Sequence, residues 1–261
     1  MIHQPYDWAS ASRSETGKVR QCNEDAFFDA PDLGLWVVAD GMGGHAVGDY
    51  ASRLIVQRIA AAPSTIDLDT LIRVSTDILL DVNRELRREA SDRDVGVIGS
   101  TVAVLLAHGR ECACLWAGDS RIYQSRRGAL TQLTRDHNRV EDMVAAGIMD
   151  RAVANTVPPS NEITRAVGAA DTLDLECRTL KIEDGDTFLL CSDGLYGEVT
   201  ETEIATELLR GTCDRSCKRL IDLVMSRDAR DNITAIVAHA EDPHHCDKTL
   251  VNPVLPWGNK R

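Results

Sequence analysis

Leu33-Gly34-Leu35-Trp36-Val37-Val38-Ala39-Asp40-Gly41-Met42-Gly43-Gly44-His45-Ala46-Val47-Gly48-Asp49-Tyr50-Ala51-Ser52 is the stretch on which the reading of the chain turns. The apolar run from Leu33 to Ala39 predicts a buried strand that runs into Asp40-Gly41, followed by a glycine-rich turn and a helix. A single Asp-Gly between apolar runs is first of all a hairpin signal. Its company gives it another meaning. Asp119 in Trp-Ala-Gly-Asp-Ser-Arg, Asp193 in Leu-Leu-Cys-Ser-Asp-Gly-Leu and Asp231 in Arg-Asp-Asn-Ile-Thr also sit at the edges of apolar runs. A strand ending in a carboxylate aims it off the rim of its sheet. Several such ends meeting in one hollow would be costly unless cations neutralise them. Oxygen-only sets of this kind suit Mg²⁺ or Mn²⁺ rather than zinc. Two such ions a few Å apart can lower the pKa of a shared water and clamp an in-line displacement at phosphorus.

Outward from this stretch, residues 6–39 read as short strands, with turns at Glu15-Thr16-Gly17 and Ala30-Pro31-Asp32. Val47, Ala51, Leu54, Ile55 and Ile59 recur at helical spacing, with Pro63 as the stop. A second amphipathic helix is expected from about Asp67 to Ala90, antiparallel to the first and laid with it on a sheet. Residues 99–133 read as all β. Residues 134–170 change character, with a short helix over Arg139 to Ala146 and a Pro158-Pro159-Ser160-Asn161 loop, and are the candidate flap. Strands return at Leu173 to Leu180 and Thr187 to Cys191, a helix covers about Asp214 to Arg227, and Ile233 to His239 is the last strand. The expected division is one domain over 1–240 and a tail over 241–261, where periodicity stops. This order is α+β and lacks regular βα alternation.

The totals exclude several function classes. With 29 Lys and Arg against 41 Asp and Glu, the formal charge of −12 argues against a nucleic-acid or anionic-membrane surface. The eight cysteines lack zinc-ribbon spacing and show no disulfide framework, so they read mostly as reduced packing residues of a cytoplasmic protein. The N-terminus lacks a signal-peptide pattern, and the longest apolar stretch, Thr101 to Ala107, is too short to span a bilayer.

A second cluster is Gly17-Lys18-Val19-Arg20-Gln21-Cys22-Asn23-Glu24-Asp25, in which Arg20 lies four residues ahead of Glu24. A guanidinium there can grip phosphate oxygens in a bidentate manner while the carboxylates hold a metal or its waters. A surface ion pair is the alternative on spacing alone. Gly41-x-Gly43-x-x-Ala46 satisfies the dinucleotide-binding pattern, but a helix, not a parallel strand, follows, and no acidic residue closes a second strand. No G-x-S-x-G occurs, which leaves a serine hydrolase without support.

Taken together, Arg20-x-x-Asn23-Glu24-Asp25, Val38-Ala39-Asp40-Gly41-Met42-Gly43-Gly44-His45, Gly99-Ser100-Thr101, Ala117-Gly118-Asp119-Ser120-Arg121, Leu133-Thr134-Arg135-Asp136-His137, Ile163-Thr164-Arg165-Ala166-Val167-Gly168, Ser192-Asp193-Gly194 and Asp231-Asn232-Ile233-Thr234 resemble bacterial members of the PPM, or type 2C, metal-dependent protein phosphatase family. The match spans about residues 10–238. The resemblance implies an αββα sandwich, two antiparallel sheets flanked by helix pairs, with a two-metal site at one end. It implies that Asp40 bridges both metals, that Asp193 and Asp231 complete one site, and that the Gly41 carbonyl and Glu24, directly or through water, serve the other. Asp25, adjoining Glu24, joins the candidate metal set. Asp119 with Asp193 is similar to the third-metal site of bacterial members, and Arg20 to the phosphate-binding arginine.

The resemblance further implies a monomeric Ser/Thr phosphoprotein phosphatase using Mn²⁺ or Mg²⁺. A metal-bridging hydroxide would attack phosphorus directly, and a cognate Ser/Thr kinase would be opposed. A catalytically silent phosphoprotein-binding module is the alternative. Two departures stand out. Met42 occupies the position where some members carry a histidine that protonates the leaving oxygen, so His45 and His137 become the candidate general acids. Val157-Pro158 stands where the flap commonly holds His-Pro.

Overall fold

The computed structural model describes residues 5–43, 47–62, 67–154, 156 and 162–244. The elements in chain order are β1 (Asp7–Glu15), β2 (Asp25–Ala30), β3 (Leu35–Met42), α1 (Gly48–Ala60), α2 (Leu68–Asp92), β4 (Gly99–Ser100), β5 (Val102–His108), β6 (Glu111–Ala117), β7 (Arg121–Arg126), β8 (Ala129–Gln132), α3 (Arg139–Ala145), α4 (Arg151–Ala154), β9 (Glu176–Lys181), β10 (Thr187–Cys191), α5 (Asp193–Tyr196), α6 (Glu201–Leu208), α7 (Cys213–Met225) and β11 (Ile233–Glu241). One sheet has the order β1-β11-β10-β7-β8, and the other β2-β3-β5-β6-β9 with β4 added to β3. The strand pairs of both are antiparallel.

Strand alternation builds the four layers. From β3, Leu35, Val37 and Ala39 pack with Ala51, Ile55, Leu79 and Leu86 of α1 and α2, whereas Trp36 and Val38 point the other way. They meet Leu105, Trp116, Phe188, Leu190 and Ile236 between the sheets. On the far side Leu189, Ile233 and Val237 pack under Leu220 and Val224 of α7. The expected αββα sandwich is therefore observed, with a central β–β core and two outer α–β cores.

The same alternation positions the chemistry. Asp40 continues the Trp36, Val38 face and so turns toward the space between the sheets, at the end where both run out. Ser192 follows Phe188 and Leu190 onto that face, and Thr234 precedes Ile236 on it. Asp40 does not sit in a turn. β3 runs on through Gly41 and Met42, which pair with Ser100 and Gly99 of β4. The strand also begins later than the apolar run, because Pro31–Leu33 form a 3-10 turn closed by Gly34 at φ 62°.

Other differences are local. The helix α6 is absent from the sequence-based expectation, although Thr200 and Glu203 form a reciprocal capping box at its start. The strand expected over Leu173 to Leu180 is confined to Glu176–Lys181. Cys22 and Cys177 are exposed instead of packed, while Cys112, Cys114, Cys191, Cys213 and Cys217 are buried and free. Val157-Pro158 and most of the tail lie outside the described residues. Among the described residues no helix is long and apolar enough to cross a membrane.

Candidate active site

Five of the aspartates named from the sequence are brought together at one end of the sandwich. Asp25 and Asp40 are directly opposed across β2 and β3. Asp193 opens α5 immediately beyond β10, Asp231 precedes β11, and Asp119 occupies the β6–β7 turn. Asp40 feels Asp25, Asp193, Asp119 and Asp231. Loss of hydration raises its pKa well above the carboxylate norm, and those four neighbours push it further. Burial likewise raises Asp25 and Asp119 to about 7 and Asp193 to about 6. The charge of Asp231 adds to the rise at Asp193, and the Gly194 amide and Asp40 offset part of it.

The hollow is held by a frame of neutral groups. The Asp40 amide donates to Thr101 Oγ1 at 3.1 Å, and the Thr101 amide donates back to the Asp40 carbonyl at 2.8 Å. Thr101 Oγ1 in turn lies 2.7 Å from Ser120 Oγ, tying Asp40 to the turn that carries Asp119. Ser192 Oγ donates to Asp25 Oδ2 at 2.8 Å and accepts from the Thr234 amide at 2.9 Å. Asn232 Oδ1 accepts from the Glu24 amide at 2.8 Å, while its Nδ2 donates to the Thr16 and Cys22 carbonyls, each at 2.9 Å. Sequence reasoning assigned no role to Thr101, Ser192 or Asn232. Each adjoins a named acidic residue or strand end, which was the available signal.

Gly41 is required by close approach. A Cβ there would lie 2.1 Å from the Gly48 carbonyl oxygen and 2.8 Å from that of Glu24. The start of α1, Glu24 and the Gly41 peptide are thus in direct contact, and the Gly41 amide donates to the Glu24 carbonyl at 3.1 Å. Arg20 is half exposed at the rim and donates through Nη2 to Asp231 Oδ2 at 2.7 Å. Asp231 chiefly, then Glu24 and Asp40, strengthen its hold on its proton.

The donor set fits divalent cations. Glu24 Oε1, Asp25 Oδ1 and Asp193 Oδ1 are buried with no hydrogen-bond partner, although buried carboxylate oxygens are ordinarily paired. Among the described residues no three acidic, histidine or cysteine side chains are already arranged to hold a metal ion. Bound ions would draw these carboxylates in, with waters and the Gly41 carbonyl completing their shells.

His137 is not placed to protonate a leaving group. It is fully buried, its Nδ1 accepts from the Gly118 amide at 3.1 Å, and its Nε2 lies 3.1 Å from Glu176 Oε1, off the line of a good hydrogen bond. Burial lowers its pKa, which keeps the ring neutral. It is a structural histidine under the β6–β7 turn. His45 lies outside the described residues. The described His108 and His239 lie toward the opposite ends of their strands.

Comparison with known proteins agrees with this arrangement. Residues 14–237 match the family model for protein phosphatase 2C. A serine/threonine phosphatase, Stp, of Listeria monocytogenes is 31% identical over 239 residues, covering 88% of this chain and 94% of its own. The structure of PppA, described as a key regulatory component of T6SS in Pseudomonas aeruginosa, superposes with a TM-score of 0.84 at 42% identity, covering 92% of this chain and 99% of that one. The catalytic domain of the phosphatase PstP, solved with two manganese ions, superposes with a TM-score of 0.79 at 30% identity, covering 90% and 99%. A family match over most of the chain, two stacked antiparallel sheets and an acidic hollow where they end lead to one conclusion: the chain belongs to the protein phosphatase 2C family.

Proposed function

We propose that the protein is a metal-dependent phosphatase of phosphoserine and phosphothreonine proteins, acting in the cytoplasm as a monomer and opposing a Ser/Thr kinase. The catalytic domain in this reading is 1–240. The observation that carries it is the set of orphaned carboxylate oxygens on Glu24, Asp25 and Asp193, gathered beside a rim guanidinium. The names of the Listeria relative and the manganese-containing PstP structure support it.

Asp40 would be shared between two ions, with Asp193 and Asp231 on one and the Gly41 carbonyl and Glu24 on the other. Asp25, directly opposite Asp40 across the ladder, would offer its unpartnered Oδ1 to an ion or to an ion's water. Asp119 with Asp193 would hold a third. Bound Mn²⁺ or Mg²⁺ supplies Lewis-acid polarisation of phosphate oxygens and a more acidic water. Arg20 would exchange its Asp231 partner for two oxygens of the phosphate and orient it, a task suited to a planar fork of donors. The frame of Thr101, Ser192 and Asn232 keeps the carboxylates preorganised, so that little reorganisation accompanies reaction.

The test is phosphate release from a phosphothreonine peptide in Mn²⁺ and again after EDTA, with a phosphotyrosine peptide for comparison. Phosphothreonine should be hydrolysed preferentially, and EDTA should abolish turnover. Retained phosphopeptide without hydrolysis in Mn²⁺, or turnover indifferent to EDTA, would overturn the reading.

A further inference from the structure

Arg121 holds neither ion nor phosphate in the proposed site, yet its guanidinium ties its own strand to two other segments. Its Nε and Nη2 donate to the two carboxylate oxygens of Asp136 at 2.9 and 2.7 Å, and its Nη1 donates to the Tyr123 hydroxyl at 2.8 Å. The guanidinium carbon stands 3.6 Å from the centre of the Tyr196 ring, and the Tyr196 hydroxyl donates to the Asp119 carbonyl at 3.0 Å. The pair is largely withdrawn from water, the Arg121 and Asp136 side chains being 18% and 8% exposed.

The positions of these partners matter. Arg121 is two residues beyond Asp119, and Tyr196 is three beyond Asp193. Asp136 opens the segment that carries α3 and α4. The following residues close the base of that segment: the His137 carbonyl accepts from the Thr164 amide at 2.8 Å, Asn138 pairs with Ile163, and the Asn138 side chain caps α3. His137 also meets Gly118 twice, donating its amide to the Gly118 carbonyl at 2.9 Å and accepting the Gly118 amide on Nδ1 at 3.1 Å. One face of residues 136–138 thus grips the Asp119 turn, and the other gathers the two ends of the flap segment.

We infer that Arg121 is a positioning residue that couples the base of the flap segment to the turns carrying Asp119 and Asp193, so that cation affinity at that carboxylate pair depends on the Arg121–Asp136 link. The inference rests on the proposed assignment of Asp119 and Asp193 to a cation. A buried ion pair is weak evidence for stability, since an apolar pair of similar size often replaces it without loss. What an apolar pair does not reproduce is direction. Two parallel bonds to Asp136, a third to Tyr123 and a stacked face on Tyr196 fix one orientation of three segments. A carboxylate displaced by a fraction of an ångström is a poorer ligand. Because coupling is reciprocal, a cation at Asp119 and Asp193 should quieten the flap base by the amount that the flap base favours the cation.

The experiment combines Mn²⁺ titration calorimetry with amide hydrogen exchange on the full chain. It compares wild type, Arg121→Lys, the double variant Arg121→Met/Asp136→Leu, and Asp119→Asn. The double variant removes the link without leaving a buried unpaired charge, so it should stay folded. Wild type should bind Mn²⁺ in a tight and a weaker class, and Asp119→Asn should lose the weaker one. Arg121→Lys and the double variant should keep the weaker class at roughly fivefold or more reduced affinity, with faster exchange at residues 117–121 and 134–138. Mn²⁺ should slow exchange at both segments in wild type and fail to do so in the double variant. The inference is overturned if a folded double variant binds the weaker class as wild type does, with unchanged exchange, while Asp119→Asn has lost that class. It is also overturned if Asp119→Asn keeps every class, a result that separately removes the third-cation assignment while leaving the two-ion reading intact.

Discussion

Asp25 and Asp40 are directly opposed across the β2–β3 ladder, so two carboxylates share the face turned toward the second sheet. Like charges opposite one another destabilise a sheet, and burial adds to that. With Asp25 and Asp119 raised from 3.8 to about 7, the folded metal-free protein binds more protons than the unfolded chain between those values. Their stabilising contribution is present below the ordinary carboxylate pKa and is lost as pH rises toward 7. Scanning calorimetry in EDTA should therefore show Tm falling as pH rises through that window. Mn²⁺ should raise Tm more at neutral than at acid pH, because protons and cations compete for the same oxygens. Asp25→Asn should flatten the metal-free profile.

Arg20 is half exposed at the rim and is held there by Asp231 at 2.7 Å. Removing it should weaken the grip on phosphate more than the ion sites. Arg20→Ala is expected to raise KM for a phosphothreonine peptide about 10-fold or more with a smaller change in kcat. Arg20→Lys should recover only part of the loss, because an ammonium lacks the paired donors. Steady-state kinetics at saturating Mn²⁺ measures both.

The Gly41–Gly48 contact leaves no room for a methyl group. A Cβ on Gly41 would sit 2.1 Å from a carbonyl oxygen that belongs to the backbone and cannot swing away. Gly41→Ala should cost about 3 kcal/mol or more and displace the start of α1. Denaturant unfolding of the metal-free protein gives the stability, and loss of Mn²⁺ affinity reports the displacement.

Thr200 offers a control far from the chemistry. Its side chain and that of Glu203 cap α6 reciprocally, so Thr200→Ala should cost about 1 kcal/mol and leave kcat and Mn²⁺ affinity unchanged. A change in kcat would mean that α6 bears on the site in a way these contacts do not show.

Much of the architecture was legible because helices and strands carry their period in the residues. The α1 and α2 stripes, the β-rich 99–133 and the final strand all follow from it. The four aspartates beside apolar runs were legible for the same reason, since strand ends are visible in a linear chain. What was not legible depended on distance in space. Asp40 reads as the end of its strand until the pairing of Gly41 and Met42 with β4 shows that the strand runs on past it. His137 looks like a free acid-base group until Gly118 and Glu176 are found against its two nitrogens. The α6 helix escapes a reading by period although Thr200 and Glu203 spell its capping box, because it is only eight residues long and its apolar stripe is correspondingly thin.

The central claim is that the buried acidic hollow exists to hold divalent cations. Equilibrium Mn²⁺ binding to wild type, Asp40→Asn and Asp193→Asn, measured calorimetrically with circular dichroism to confirm folding, tests it most directly. Wild type should bind at least two Mn²⁺ per chain, and each substitution should remove or strongly weaken at least one of them in a folded protein. Wild-type Mn²⁺ stoichiometry and affinity in folded Asp40→Asn and Asp193→Asn would contradict it.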